Sequence, residues 1–308
     1  MKTGLRLSLS LLLLGCGSVS CARTAAEQPP SSSLGFVSNG GRTAQAVDWT
    51  EARAGTPRGK VEMLTLDDRE YKRKRRVWIY TPPGYSQTSA APYRLLICFD
   101  GLSYTTDIPL PTILDNLLAA DKIQPTIAIM VDNEEARLGD LANRQAFADF
   151  MSKDLLPWVH ERYRNVTTDA EKTILCGYSA GGLAAAYVAW KHSDLFGNVL
   201  SQSGAFWRGN EGGTDELEWL THQFQSSPKL KLRFYLEVGA LETGKTAGGP
   251  VFIEANQRLR RVLEAKGYDV RYLEVAGARH EAVHWRAQLA DGVIYLSGKQ
   301  QPHTHASK

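Results

Sequence analysis

From about residue 58 onward the chain alternates between short apolar runs and longer stretches in which apolar residues recur at helical spacing. Residues 95–99 (LLICF) and 126–131 (TIAIMV) are continuous apolar runs, the pattern of strands buried on both faces. Residues 173–176, 198–201, 232–238 and 270–275 extend the series. Residues 61–66 and 76–80 precede it as two strands joined by the polar stretch 67–70, and Pro82-Pro83 ends the second, because proline cannot donate to a ladder. Between the strands, residues 144–163 place Phe147, Phe150, Met151, Leu155, Val159 and Tyr163 on roughly one helical face, with a kink expected at Pro157. Residues 182–191, 253–266 and 281–296 are further helices. Strands alternating with helices predict an α/β protein with a mostly parallel central sheet covered by helices on both faces. No internal repeat is present.

The start of the chain has a different pattern. Lys2 and Arg6 precede an apolar run over residues 7–14. The run is far below the ~18 residues a membrane span requires but fits the apolar region of a secretory signal. Leu13-Leu14-Gly15-Cys16 resembles a bacterial lipoprotein box, with lipid attachment at Cys16; ordinary cleavage near Ala22 or Ala26 is the competing route. Either route predicts export, as a periplasmic protein or one tethered to the membrane and facing the periplasm. The expected organisation is therefore a signal over residues 1–21, a flexible tether and lead-in over 22–57, one catalytic domain over 58–298 and a polar tail over 299–308.

Composition narrows the class. With 43% hydrophobic and 22% charged residues, the chain is neither collagenous, low-complexity nor wholly disordered. It has 36 basic and 33 acidic residues, a net charge of +3. Cleavage before Cys16 would remove Lys2 and Arg6 and leave nearly no net charge, so nothing points to nucleic acid. Four cysteines are too few for a disulfide scaffold; Cys98 and Cys176, inside apolar strands, are expected as buried free thiols.

Gly177-Tyr178-Ser179-Ala180-Gly181 matches Gly-x-Ser-x-Gly between an apolar strand and a small-residue helix start. Such a turn needs glycines and lifts the serine hydroxyl above the sheet, with a helix N-terminus aimed at it. Ser179 is the candidate nucleophile. In chain order an acid and then a histidine should follow. His280, after the last strand, is the expected base, with His284 one helical turn later as a surface or supporting residue. Glu242, just past the preceding strand, is the expected acid, with Glu237 as its rival inside the strand. The oxyanion hole is expected from the N–H of Ala180 and that of Gly101 or Leu102. The histidines do not assemble a metal site.

These motifs resemble those of the enterochelin (enterobactin) esterase-like family, over about residues 57–296. The segments that carry the resemblance include Val77 with Trp78-Ile79-Tyr80-Thr81-Pro82-Pro83-Gly84-Tyr85, Phe99-Asp100-Gly101, Arg137-x-x-Asp140-Leu141 and Gly177-Tyr178-Ser179-Ala180-Gly181-Gly182-Leu183. Phe196-Gly197-Asn198-Val199-Leu200-Ser201-Gln202-Ser203-Gly204 and His280-Glu281-x-x-x-Trp285-Arg286 complete the set. The chain departs from the family at Ala278-Arg279, where Gly-Gly is common before the histidine, and at Trp207-Arg208, where a Trp-Trp pair is common. The resemblance implies an α/β-hydrolase fold, no cofactor, and a serine esterase acting on the trilactone of a tris-catecholate siderophore, iron-loaded or free. That ligand is anionic, so Arg137, Trp207, Arg208 and Arg286 are its expected contacts; Arg137 with Asp140 also reads as a structural ion pair. A monomer is expected, touching a membrane only through the lipid on Cys16. A feruloyl or acetyl carbohydrate esterase, or a general carboxylesterase, is the same-fold alternative, and a siderophore-binding lipoprotein the non-enzymatic one.

Overall fold

The computed structural model describes residues 48–133, 136–213, 215–246 and 249–297. The leader with Cys16, most of the expected tether and the polar tail lie outside the described residues. All eight apolar runs are strands: β1 (Lys60–Asp68), β2 (Arg73–Thr81), β3 (Arg94–Phe99), β4 (Thr126–Val131), β5 (Thr173–Tyr178), β6 (Asn198–Gln202), β7 (Arg233–Gly239) and β8 (Asp269–Val275). They form one sheet in the order β1-β2-β4-β3-β5-β6-β7-β8. β2 is antiparallel to β1 and to β4, and the pairs from β4 to β8 are all parallel. This is the α/β-hydrolase fold.

Burial explains the sequence pattern. Every residue of β3 and β4 is buried, so apolar side chains are needed on both faces. One core lies against α3 (Gln145–Phe150), α4 (Leu156–Arg162), α5 (Ala180–Lys191), α6 (Trp219–Ser226) and α7 (Phe252–Ala265). The other lies against α1 (Leu110–Ala119) and α8 (Ala282–Ser297). α2 (Arg137–Leu141) follows β4. The run expected over 144–163 is α3 and α4 joined by a single π turn, Met151–Leu155. Pro157 falls in the first turn of α4, where its missing N–H matters least. The carbonyl of Lys153, which a regular helix would give to residue 157, accepts Arg69 Nη2 instead at 3.0 Å.

Three features differ from expectation. Helix α1 was not evident from the pattern, because Pro109 and Pro111 flank its first residue and read as a loop. The lead-in is also docked earlier than residue 58: Asn116 Nδ2 donates to the carbonyls of Trp49 and Glu51, both at 2.8 Å, and Gly59 N–H donates to Asp115 Oδ1 at 2.8 Å. Asp140 does not pair with Arg137. It is buried and accepts from Arg73, Arg75 and Asn133.

Candidate functional site

Strand β5 ends at Tyr178 and α5 starts at Ala180, leaving Ser179 as the residue that turns strand into helix. Its backbone sits at φ 55°, ψ −120°, a conformation that non-glycine residues rarely adopt. The surroundings hold it there. Ser179 N–H donates to the Gln202 carbonyl at 2.9 Å, and its own carbonyl accepts from Leu183 N–H (3.2 Å) and Ala205 N–H (2.9 Å). The turn leaves no room for a side chain at Gly177, where a Cβ would lie 2.4 Å from the carbonyl carbon of Gly181.

The last two strands, β7 and β8, lead into the other candidates. Glu242 lies three residues beyond the end of β7 and is buried. One of its oxygens, Oε2, is 2.6 Å from His280 Nδ1. The other, Oε1, accepts from Gly239 N–H at 2.8 Å and from the Ser203 hydroxyl at 2.5 Å. A carboxylate that close calls for a hydrogen on Nδ1, which in the neutral ring leaves the lone pair on Nε2. The His280 ring meets Trp285 edge-on (centroids 5.0 Å apart) and Phe252 (4.9 Å). Trp285 in turn stacks on Tyr178, the residue before Ser179, at 4.2 Å and 15°. His284 supports the same loop, its Nδ1 accepting from Arg279 N–H at 2.8 Å. Glu237 remains within β7, fully enclosed, and accepts from Gln202 Nε2 at 2.9 Å. Burial pushes its carboxyl well above the ordinary carboxylate range.

At the oxyanion position the two candidate amides after β3 differ. Gly101 N–H donates to the Val131 carbonyl at 2.7 Å, and a Cβ at Gly101 would lie 2.5 Å from Met130 backbone. That close packing fixes the turn and leaves the Leu102 amide as the stronger candidate beside Ala180, the first residue of α5. Asp100, at φ 58°, shapes the same turn. Its N–H donates to Asn133 Oδ1 at 3.1 Å, and its carboxylate takes both Nε and Nη2 of Arg137 at 2.7 Å. Arg137 Nη2 also reaches the Tyr178 carbonyl at 3.3 Å, so one guanidinium ties the β3 turn to the end of β5. Burial raises the Asp100 carboxyl, against the pull of Arg137.

Of the expected ligand contacts, the Arg208 guanidinium lies over the Trp207 ring at 4.7 Å. Burial and the nearby charge of Arg137 lower the Arg208 pKa, so these two cations share one neighbourhood. Arg286 is exposed on α8, and its charge couples to Asp48. Cys98 and Cys176 are free and buried, directly opposite each other on β3 and β5. Among the described residues no group of three His, Cys, Asp or Glu could hold a metal, and no helix is long and apolar enough to cross a membrane.

Sequence reasoning missed Ser203. Its serine hydroxyl belongs to the acid loop only through a contact between strands, and no spacing rule signals that. Phe252, which meets the His280 ring, and Tyr178, which stacks on Trp285, were missed for the same reason.

The family described as "Putative esterase" matches residues 69–296. The chain is 30% identical over 276 residues to the iron(III) enterobactin esterase of Dickeya dadantii, covering 82% of this chain and 60% of that protein. The crystal structure of the enterobactin esterase of Shigella flexneri, determined in the presence of enterobactin, superposes with a TM-score of 0.70 at 26% identity, covering 82% of this chain and 63% of that one. A ferulic acid esterase from the anaerobic fungus Anaeromyces mucronatus shares the fold at 18% identity, with a TM-score of 0.63 over 80% of this chain and 94% of its own. The chain thus spans about three fifths of the length of these enterobactin esterases. On the extent of the family match, the chain belongs to the "Putative esterase" family, and it is similar in sequence to enterobactin esterases.

Proposed function

We propose that the protein is a serine esterase that hydrolyses the ester bonds of a tris-catecholate siderophore trilactone. The observation that carries this reading is the Glu242–His280 contact of 2.6 Å, linked to the Ser179 turn through Trp285 and Tyr178, in a chain related to enterobactin esterases. In this reading Ser179 Oγ attacks the ester carbonyl carbon while His280 Nε2 takes its proton. Glu242 holds the imidazole tautomer and stabilises the imidazolium. The amides of Ala180 and Leu102 receive the oxyanion. Collapse breaks the bond to the alcohol, which leaves with the proton from His280. Water then attacks the acyl-enzyme, gives its proton to His280, and the acid departs as Ser179 regains its hydrogen.

The charge around the site supports an anionic substrate. Arg208 supplies that charge. Trp207, expected to face a catechol ring, is instead 9% exposed and packed in the core with the Arg208 guanidinium over its ring, and the charge of Arg137 is taken up by Asp100. Arg286, exposed on α8, has its charge acting on Asp48. The chain works as an exported monomer in this reading. Chromatography of the products from the ferric and iron-free trilactones, beside a feruloyl ester, tests it. Preferential release of dihydroxybenzoyl-serine units is expected. A preference for the feruloyl ester would replace the siderophore reading with that of a carbohydrate esterase.

A further inference from the structure

We infer that Ser203 is a positioning residue that orients the acid of the proposed triad and the wall of the histidine at once. The inference rests on the reading of Glu242 as that acid. Ser203 follows β6 and is 1% exposed. Its backbone is at φ 48°, a left-handed conformation that serine seldom takes. Its N–H donates to the Glu237 carbonyl at 2.7 Å, which fixes the turn. The turn brings the hydroxyl between two buried groups: Trp285 Nε1 at 3.0 Å and Glu242 Oε1 at 2.5 Å.

Chemistry fixes the direction of both bonds. An indole N–H can only donate, so Ser203 Oγ accepts from Trp285. A carboxylate can only accept, so the one hydroxyl hydrogen goes to Glu242. Ser203 and Gly239 N–H together hold Oε1, which leaves Oε2 aimed at His280 Nδ1. Trp285, held by the same hydroxyl, lies edge-on to the His280 ring and stacks on Tyr178. One buried oxygen therefore sets the carboxylate rotation and the position of the aromatic wall against the imidazole. The hydroxyl makes no contact with the substrate in this scheme; its effect reaches the reaction through Glu242 and Trp285.

The test compares Ser203→Gly, Glu242→Gln and the double variant on p-nitrophenyl acetate, a small neutral ester that does not depend on siderophore recognition. Glycine suits the positive φ, so Ser203→Gly removes the hydroxyl without backbone strain, and its thermal melting checks that it folds. A charge-assisted hydrogen bond of this kind gives an expected loss of about 10–100-fold in kcat, with KM within about twofold. In the Glu242→Gln background the further loss should be under about twofold, because the two changes act through one group. The inference is overturned by a Ser203→Gly variant that folds with wild-type kcat, by a loss confined to KM, or by full multiplication of the two losses in the double variant. If Glu242→Gln alone is harmless, the acid assignment falls and the inference falls with it. Failure to cleave the siderophore trilactone, by contrast, would end the substrate reading and leave this result standing.

Discussion

Two buried charge clusters sit on the same sheet and behave differently. The first joins β2 to α2. Arg75 is 2% exposed and gives Nε (2.9 Å) and Nη2 (2.5 Å) to Asp68 Oδ2, and Nη1 to Asp140 Oδ2 and the Asp132 carbonyl, both at 2.7 Å. Arg73 completes the balance on Asp140, and the Arg75 guanidinium lies 4.5 Å from the centre of the Phe150 ring. The second cluster is Ser203, Glu242 and His280. Its carboxylate is as well satisfied as those of the first, yet its last member has a side chain 38% exposed. A closed network spends every valence on the fold. An open one keeps a ring nitrogen for chemistry. The same short charge-assisted bonds thus serve stability in one place and, in the proposed mechanism, proton transfer in the other.

The largest effects should fall on the open cluster. Ser179→Ala should lower kcat/KM on p-nitrophenyl acetate by about 10³-fold or more, and Glu242→Gln by a comparable order, with unchanged melting temperatures. Glu237→Gln should cost under about threefold in rate. If Glu237→Gln proved the costlier of the two carboxyl changes, the role of triad acid would have been given to the wrong carboxyl. The closed cluster should respond in the opposite sense. Arg75→Met leaves Asp68 and Asp140 short of partners in the interior, and should destabilise the fold by about 3–5 kcal/mol in urea unfolding. Its kcat per folded molecule should stay within about twofold. A large rate loss in a stable Arg75→Met variant would show that this cluster also reaches the site.

Arg137 stands between the two kinds. It closes on Asp100 but touches the Tyr178 carbonyl, beside the nucleophile turn. If its main duty is to brace the oxyanion turn, Arg137→Ala should lower kcat about 10–100-fold even on a neutral ester. If it chiefly attracts the anionic ligand, the neutral ester should be spared and KM should rise only for the catecholate. Running both esters on one variant separates the two duties.

Much of this was legible in the sequence. Continuous apolar runs marked the central strands such as β3 and β4, because strands covered on both faces can carry little else, while the edge strands β1 and β8 are only partly buried and mix apolar with polar residues. The Gly-x-Ser-x-Gly turn and the order of serine, acid and histidine pointed to Ser179, Glu242 and His280 because local backbone geometry dictates the first and strand order the others. What escaped were contacts between elements distant in sequence. The pairing of Arg137 with Asp100 spans 37 positions, and Ser203 meets Trp285 across 82. A three-residue spacing suggested Asp140 as the partner of Arg137, but Asp140 faces inward to Arg73 and Arg75. Helix α1 was missed because its prolines read as a loop, although proline in a first turn is compatible with a helix.

Glu237 sharpens the comparison at its smallest scale, since it is a buried carboxyl that no cation closes among the described residues. Only Oε1 has a hydrogen-bond partner, Gln202 Nε2, while Oε2 is buried without one, as are Tyr235 Oη and Gln288 Oε1 on the same side of the sheet. Desolvation, with added repulsion from Asp291 and Glu242, raises its pKa well above the ordinary 4.5. The folded protein therefore keeps a proton that the unfolded chain releases above that pH. Stability from this proton is complete below the unfolded pKa and declines as pH rises toward the folded one, by up to about 1.4 kcal/mol per pH unit. Glutamine keeps the shape, accepts from Gln202 and cannot ionise, so Glu237→Gln should remove that slope. Urea unfolding at pH 5 and pH 8 is the measurement. The variant should be close to wild type at pH 5 and more stable than wild type at pH 8. Parallel stability profiles for the two proteins would mean that Glu237 is ionised and compensated in the fold, which would make it a member of a closed network after all.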